Sequence, residues 1–359
     1  MEEKNKRVLI YTFTAANNYG AILQAYALKR HLSICGYDSH CVDYKPSYLV
    51  DRFKTISLAR AKSEGNNLRC YLKEFFLAPL VMHRNCRFNV FKKNYLSFVE
   101  IGYGNKATHI IGSDQVWNYK ITSGDTVFFG DIPNAKGKII SYAASMESQI
   151  DQAYEAELKL NLKRFDSISV RESSLQEYLK DKLNIVSKLV VDPTLLLDRN
   201  EWSTIAEDYH NMTGGYIFLY GFNFSTNALK QAELFAKNKG LKLIKLTTAA
   251  KLSAGFRNDV SPGNFVQLIK NADYVITNSF HGTSFSIIFG KRFALLQNHA
   301  LKKNNRILNL LHIAGLSQTD LNNKEFISDD SFVKLDYYPA SLVEAINVSK
   351  QYLSDSIEK

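Results

Sequence analysis

His281 stands in the segment TNSFHGTS (277–284), after a run of strand-forming residues and before a glycine. Histidine exchanges a proton near neutral pH more readily than any other side chain, so this placement points to acid or base chemistry. Most lone histidines are structural. One held after a strand, between Ser279-Phe280 and Gly282-Thr283, is read as functional, and the other seven are given no role. In SVRESS (169–174) an arginine, Arg171, stands at a strand end beside a Ser-capped helix start. A guanidinium there suits a phosphate or carboxylate, which it grips bidentately. The plain alternative is a salt bridge, to Glu172 or between domains.

Two further segments carry hydroxyls and amides. GSDQVWN (112–118) packs Ser113, Asp114, Gln115, Trp117 and Asn118 together. A carboxylate, amides and an indole suit a sugar, which offers hydroxyls at its edge and C–H groups on its face. Otherwise Trp117 is core and Asp114 a helix cap. Asn17, Asn18, Tyr19 and Gly20 lead into AILQAYAL. Here Gly20 lets the backbone approach a ligand, and the helix start favours an anion or a sugar hydroxyl. Neither GxGxxG nor GxxxxGK[ST] is present, so an ordinary Asn/Gly turn is the alternative.

These segments gain meaning from the elements before them. Strands are expected at 8–13, 39–43, 109–112, 139–142, 168–170 and 189–192, with helices at 21–33, 151–165 and 173–183. A second series runs from a strand at 216–220 through a helix at 226–239, a strand at 242–246, a helix at 263–270 and a strand at 274–277. It continues with a helix from 282, a strand at 293–297 and a helix at 304–313. Alternation of this kind builds parallel, helix-covered sheets, and two series imply two doubly wound domains. Ligands bind beyond the carboxyl ends of such strands, where all four segments fall. The boundary is expected near 198, and the terminal helix SLVEAINVSKQYL is expected to pack back on the first domain. His281 is expected near the interdomain cleft.

A chain of 359 residues with 45% hydrophobic and 22% charged residues is globular in composition, long enough for two domains, and neither disordered nor coiled-coil. No apolar run approaches the roughly 18 residues that span a bilayer, and the acidic start does not read as a signal peptide, so a soluble, non-exported protein is expected. Four cysteines (Cys35, Cys41, Cys70, Cys86) form no CxxC pair and no zinc-ligand spacing, which fits reduced cytoplasmic thiols and no metal. The net charge of +10 is concentrated: 52–106 holds eleven Lys/Arg against Glu64, Glu74 and Glu100. This stretch reads as a basic helical pair broken at Pro79, with Tyr71, Phe75, Phe76, Phe88 and Phe91 on its apolar side. Such a pair suits an anionic membrane or a lipid diphosphate, or else is two core-packed helices with a solvated basic face. Nucleic acid is the lesser reading, because no recognised binding motif accompanies the charge.

Taken together, NNYGAILQAYAL, GSDQVWN, SYAAS, SVRESS, VDPTLLL, ITNSFHGTSFSIIFGKRF and NNRILNLL resemble, in order and spacing, the polysaccharide pyruvyl transferase family over most of the chain. The resemblance implies two Rossmann-like domains in a GT-B-like arrangement, as in the B-type glycosyltransferases, with an interdomain cleft. The basic insertion would sit on the first, acceptor-side domain (1–197), and the second (198–359) would take the donor. It implies transfer of pyruvate from phosphoenolpyruvate to a sugar diol as a cyclic ketal. The acceptor would be a cell-wall, capsular or exopolysaccharide unit, often on a lipid diphosphate carrier, at the cytoplasmic face of the membrane.

Carried over by residue, Arg171 matches an arginine that looks toward the donor, His281 a proposed general acid, and Arg306 a later basic position. Ser279, Phe280 and Gly282 flank the donor side; Asp114 is the candidate acceptor of the hydroxyl proton. No cofactor or metal is required. Two departures stand out: Ser279-Phe280 replaces an Arg-Leu found in some branches, and Ala21 replaces an Asp. Arg306, Lys291 or Arg292 are candidates for the missing charge. A nucleotide-sugar glycosyltransferase and a non-catalytic sugar-binding member are the alternatives, since fold does not fix function.

Overall fold

The computed structural model describes residues 6–104, 106–146, 152–210, 212, 214–247, 250–251, 255–296, 305–316 and 327–358. Residues 151, 297 and 304, at the ends of three expected elements, lie outside that set. In chain order the first elements are β1 (Arg7–Tyr11), α1 (Tyr19–Ile34), β2 (Asp38–Val42), α2 (Ser47–Val50), α3 (Leu58–Glu64) and α4 (Leu68–Tyr95). Then come β3 (Phe98–Val99), β4 (Thr108–Ile111), α5 (Tyr119–Thr122), β5 (Ile139–Ser141), α6 (Glu155–Leu162), β6 (Ser169–Val170), α7 (Ser173–Leu183) and β7 (Lys188–Leu189). The later part holds α8 (Arg199–Ser203), β8 (Tyr216–Gly221), α9 (Thr226–Lys239), β9 (Lys242–Thr247), β10 (Phe256–Arg257), α10 (Pro262–Asn271) and β11 (Tyr274–Thr277). It ends with α11 (Phe280–Ile288), β12 (Arg292–Leu295), α12 (Asn305–Ile313) and α13 (Ala340–Glu358).

The chain divides into two compact units. Unit 1 comprises 1–52, 92–197 and 343–359; unit 2 comprises 53–91 and 198–342. The division at 197/198 falls where the sequence changes from DPTLLLD to the more polar DRNEWS, and most of α13 clusters with unit 1. There Tyr37 donates to Glu358 at 2.7 Å, and Val191 N–H to Ser349 Oγ at 2.9 Å. The basic segment departs from expectation, since 53–91 clusters with unit 2 rather than with the first domain. Its buried anchor is Arg84, which donates to the Thr247 carbonyl at 3.1 Å.

Each unit is built on a five-stranded, all-parallel sheet of the same topology. The orders are β3-β2-β1-β4-β5 in unit 1 and β10-β9-β8-β11-β12 in unit 2. Fully buried strands such as Val8-Leu9-Ile10-Tyr11 and Tyr274-Val275-Ile276-Thr277 show why the sequence has continuous apolar runs rather than alternation: both faces are covered by helices. In unit 1 the parallel pair β6-β7 continues the sheet through bridges from Ile140 to Ser167 and from Ala144 to Val170. In both units the strand order reverses beside the first strand, between β1 and β4 and between β8 and β11. Those two reversals are where an open α/β sheet leaves a crevice at its carboxyl edge.

The expected break at Pro79 does not occur, and α4 runs unbroken for 28 residues. The bond that proline removes is the one to the carbonyl of Phe75, which lies on the exposed side of the helix, where water can serve that carbonyl.

Candidate functional site

At the reversal in unit 1, loops follow β1 and β4. Asn18 caps α1: its amide oxygen accepts from Gly20 N–H at 2.9 Å and Ala21 N–H at 3.4 Å. The α1 start is thus occupied by its own side chain, and the anion expected there would have to displace it. Tyr19 is wholly buried. Asn17 instead accepts from the Nζ of Lys92 at 2.8 Å, and Lys92 also reaches the Thr14 carbonyl at 3.5 Å. Burial, and then neighbouring Lys45, bring the Lys92 pKa down to about 8. Sequence reading passed over this cation.

The loop after β4 turns sharply. Gly112 has φ +117, and a Cβ there would lie 2.3 Å from the Tyr142 carbonyl oxygen, so only glycine fits. The peptide bond to Ser113 is cis. Asp114, at φ +77, is held by Ser145 N–H donating to its carbonyl at 3.0 Å. Its carboxylate accepts from Gln115 N–H at 2.9 Å. Asn118 caps the short α5 and donates to Gln115 at 2.6 Å.

Trp117 is fully buried, stacked on Phe129 at 6.1 Å, with its indole N–H on the Phe128 carbonyl at 2.9 Å. This is a correction to the sugar-platform expectation: both the face and the N–H of the ring are consumed by the core, so Trp117 supports the loop from behind. Asp114 is the residue of this loop whose side chain is part-exposed and acidic.

Arg171 is likewise not a free phosphate clamp. It is 2% exposed, its Nη1 donates to Asp192 Oδ2 at 2.5 Å, and its Nη2 lies 3.5 Å from Asp114 Oδ1. Burial works against its charge, but Asp192, Asp114 and Glu172 outweigh that and raise its pKa. Glu172, the partner that the salt-bridge alternative named, instead accepts from Ser145 Oγ and Met146 N–H, each at 2.8 Å. Asp192, from the VDPTLLL segment, also accepts from Thr194 N–H at 3.0 Å and Thr194 Oγ1 at 2.8 Å. Arg171 thus ties the carboxyl ends of β4, β6 and β7 together and fixes one side of Asp114.

At the reversal in unit 2, Asn278 follows β11 and clamps the loop after β8. Its Oδ1 accepts from Phe222 N–H at 3.0 Å and its Nδ2 donates to the Phe222 carbonyl at 2.6 Å. Beyond it α11 begins. Ser279 occupies the cap position but makes no side-chain capping bond; its own N–H goes to Thr277 Oγ1 at 3.0 Å. His281 lies in the first turn, 8% exposed, edge-on to Phe280 at 5.2 Å. Gly282 owes its identity to packing: a Cβ would fall 2.2 Å from Thr277 Oγ1, so the residue brings α11 down onto β11. The first turn of α11 therefore presents His281 and N–H groups that no side chain of its own cap engages, unlike α1.

Lys291 and Arg292 do not replace the missing cation. Arg292 opens β12 and pairs in register with Tyr274, the first residue of β11, whose hydroxyl it meets at 3.3 Å. Both basic residues therefore lie at the amino edge of the sheet, the opposite edge from His281. Arg306, in the first turn of α12, follows the carboxyl edge of β12, and α12 packs on α11. Among the described residues no cluster of three His, Cys, Asp or Glu could hold a metal ion.

Two doubly wound units, each with polar groups at its reversal, define an α/β protein of Rossmann type. The model of one family, polysaccharide pyruvyl transferase, matches residues 18–299, and the chain belongs to that family. No curated protein matches the chain. Among solved structures it is similar to a putative UDP-N-acetylglucosamine 2-epimerase from Listeria monocytogenes: 10% identity, 98% of this chain and 91% of that one, TM-score 0.46. It is also similar to the ADP-heptose LPS heptosyltransferase II of E. coli: 10% identity, 97% and 99% covered, TM-score 0.37. A functionally uncharacterised protein from Klebsiella pneumoniae is similar at 16% identity over 61% of this chain and 78% of that one, TM-score 0.38.

Proposed function

We propose that the protein transfers pyruvate from phosphoenolpyruvate to two hydroxyls of a sugar in a polysaccharide precursor, forming a cyclic ketal and releasing phosphate. Family membership supports the reaction class. The observation that carries the assignment of residues is the first turn of α11, where His281 sits beside a helix start whose cap side chain makes no bond. An anion is stabilised at such a start, and its charge favours the protonated form of the imidazole beside it, which is then placed to act as an acid.

In this reading unit 2 takes the donor, with Arg306 and the α11 start facing its negative charge. His281 protonates the methylene carbon, which becomes the methyl group, and C2 takes up oxocarbenium character. One sugar hydroxyl adds to C2 and loses its proton to Asp114 or another carboxylate. The C2–O bond to phosphate breaks, and the second hydroxyl adds and gives up its proton in turn. Two C–O bonds form, one breaks, and a sugar with a vicinal or 1,3-related diol is required. Unit 1 takes the acceptor through Asn17, Asp114 and Gln115, with Lys92 as an added cation for an anionic group on it. Ser113, expected at the acceptor, is wholly buried, its Oγ accepting from Asp114 N–H at 2.6 Å and lying 3.5 Å from Asp192 Oδ2, and holds the loop instead. Arg171 acts through Asp114 as a positioning residue.

Incubation with phosphoenolpyruvate and a diol-bearing, lipid-linked galactoside, with phosphate release followed over time, tests the proposal. Release that depends on both substrates supports it. Absence of release across a panel of diol-bearing acceptors, with a nucleoside diphosphate bound instead, overturns it in favour of glycosyl transfer.

A further inference from the structure

Helix α4 has two faces of opposite use. Glu74, Leu77, Val81, Arg84, Phe88 and Phe91 recur every three or four residues and are buried. Phe88 and Phe91, expected on one apolar side with Tyr71, Phe75 and Phe76, are thus on a different face from Phe75 and Phe76. Leu68, Leu72, Phe75, Phe76, Met82 and Val90 are less regularly spaced but fall within one arc on the opposite side of the helix, and all are exposed, Phe75 by 63% and Phe76 by 69%. From Leu68 to Val90 the stripe runs 22 residue steps, about 33 Å of helix. Apolar residues scattered singly on a surface need no explanation, but six aligned on one helix face do.

Charge decides what covers the stripe. Segment 52–91 has eight Lys/Arg and two carboxylates. Both carboxylates are engaged within the segment: Glu74 is buried and pairs with Arg60, and Glu64 accepts from Lys73 at 2.6 Å. Exposed Arg69 and Arg87 flank the apolar stripe along α4, and exposed Lys62 lies on the preceding helix. A second copy of this chain fits poorly, because a two-fold contact through the stripe would set one basic rim against the other. An anionic lipid surface fits both parts: the aromatic and aliphatic groups enter the acyl boundary while the rim meets the headgroups. Because the opposite face of α4 is buried against the protein, the contact is lateral, along the helix; no helix among the described residues is long and apolar enough to cross a membrane.

We infer that the exposed face of α4 docks the protein on an anionic membrane surface, with Phe75 and Phe76 as the inserted anchors. The test is flotation of the full chain with vesicles of phosphatidylcholine alone or mixed equally with phosphatidylglycerol. Wild type should float with the mixed vesicles and not with phosphatidylcholine, and high salt should weaken the association. The Phe75→Ser/Phe76→Ser double variant, and separately Arg69→Glu/Arg87→Glu, should lose about tenfold or more of the partitioning. Thermal melting shows whether each variant folds; if one does not, the wild-type dependence on anionic lipid and salt still decides. Equal flotation with both vesicle types, or none with either, overturns the inference. So does a dimer in sedimentation velocity that Phe75→Ser/Phe76→Ser dissolves, which would make the stripe a contact between copies.

Discussion

Arg171 donates through Nη1 to Oδ2 of Asp192, and both side chains are closed off from solvent, while Asp114 approaches the other edge of the guanidinium at 3.5 Å. Removing the cation would leave the buried carboxylate of Asp192 without its charged partner, a change that costs about 3–5 kcal/mol. Arg171→Met should therefore lower the thermal midpoint strongly, and Arg171→Met/Asp192→Asn should lose less than the sum of the two single changes. Melting the three variants checks this. An Arg171→Met protein that melts with wild type would return Arg171 to the role of an exposed donor clamp.

His281 can be separated from stability. Its replacement by Gln keeps a polar side chain of similar size in the first turn of α11 but cannot donate a proton as an imidazolium does. Phosphate release should fall about a hundredfold, equivalent to roughly 2.7 kcal/mol of transition-state stabilisation, with the melting temperature nearly unchanged. Full activity in His281→Gln would take the residue out of the mechanism.

Gly282 tests why the motif has the form it has. A methyl group added there would meet Thr277 Oγ1 at 2.2 Å, far inside contact distance. Gly282→Ala should destabilise unit 2 by about 1–3 kcal/mol, the usual cost of overpacking a closed contact. Urea unfolding measures it, and an unchanged midpoint would mean that α11 moves off β11 without cost.

How far the sequence reveals this protein follows from the range of the interactions. The strand at 274–277 and the helices at 173–183 and 226–239 are read to the residue, because periodicity and caps are local. The two parallel sheets follow from the alternation of elements, and the loops that carry Asp114 and His281 from their place after strands. The roles within those loops are less legible. Trp117 and Arg171 look like ligand groups in a list of residues, and what they touch, Phe129 and Asp192, comes from elsewhere in the chain. Lys92 is separated from Asn17 by 75 residues, so no local pattern brings it to the β1–α1 loop. The split of α4 into a buried and an exposed face could not be read either, because both faces carry large apolar residues and the buried one also carries Glu74 and Arg84.

His31, near the end of α1, is buried, and burial followed by the charge of Lys350 lowers its pKa to about 4 from an ordinary 6.5. As pH falls, the unfolded chain therefore takes up the proton before the folded chain does. The stability this group contributes is fully present above pH 6.5 and is lost as pH falls from 6.5 toward 4, by up to about 3 kcal/mol. His31→Gln should flatten the fall in melting temperature over that window. A wild-type profile that is already flat between pH 6.5 and 4 would contradict the burial of a neutral imidazole.

Lys92 gives two pH dependences that run in opposite directions. With a pKa near 8 in the folded chain and 10.5 as its ordinary value, it is charged below pH 8 and loses that charge as pH rises through 8. If it holds an anionic group of the acceptor, the acceptor KM should rise above pH 8, while kcat is little affected. Folding stability should instead rise between pH 8 and 10.5, because there the unfolded chain binds the proton that the folded chain has released. Lys92→Met should abolish both trends. It should also raise the acceptor KM at pH 7 by about tenfold or more, in keeping with the roughly 1.5–3 kcal/mol of a hydrogen bond to a charged group. Steady-state kinetics and melting across pH 7 to 10.5 measure the two together. A KM that is indifferent to pH in wild type and unchanged by Lys92→Met would confine Lys92 to its contact with Asn17.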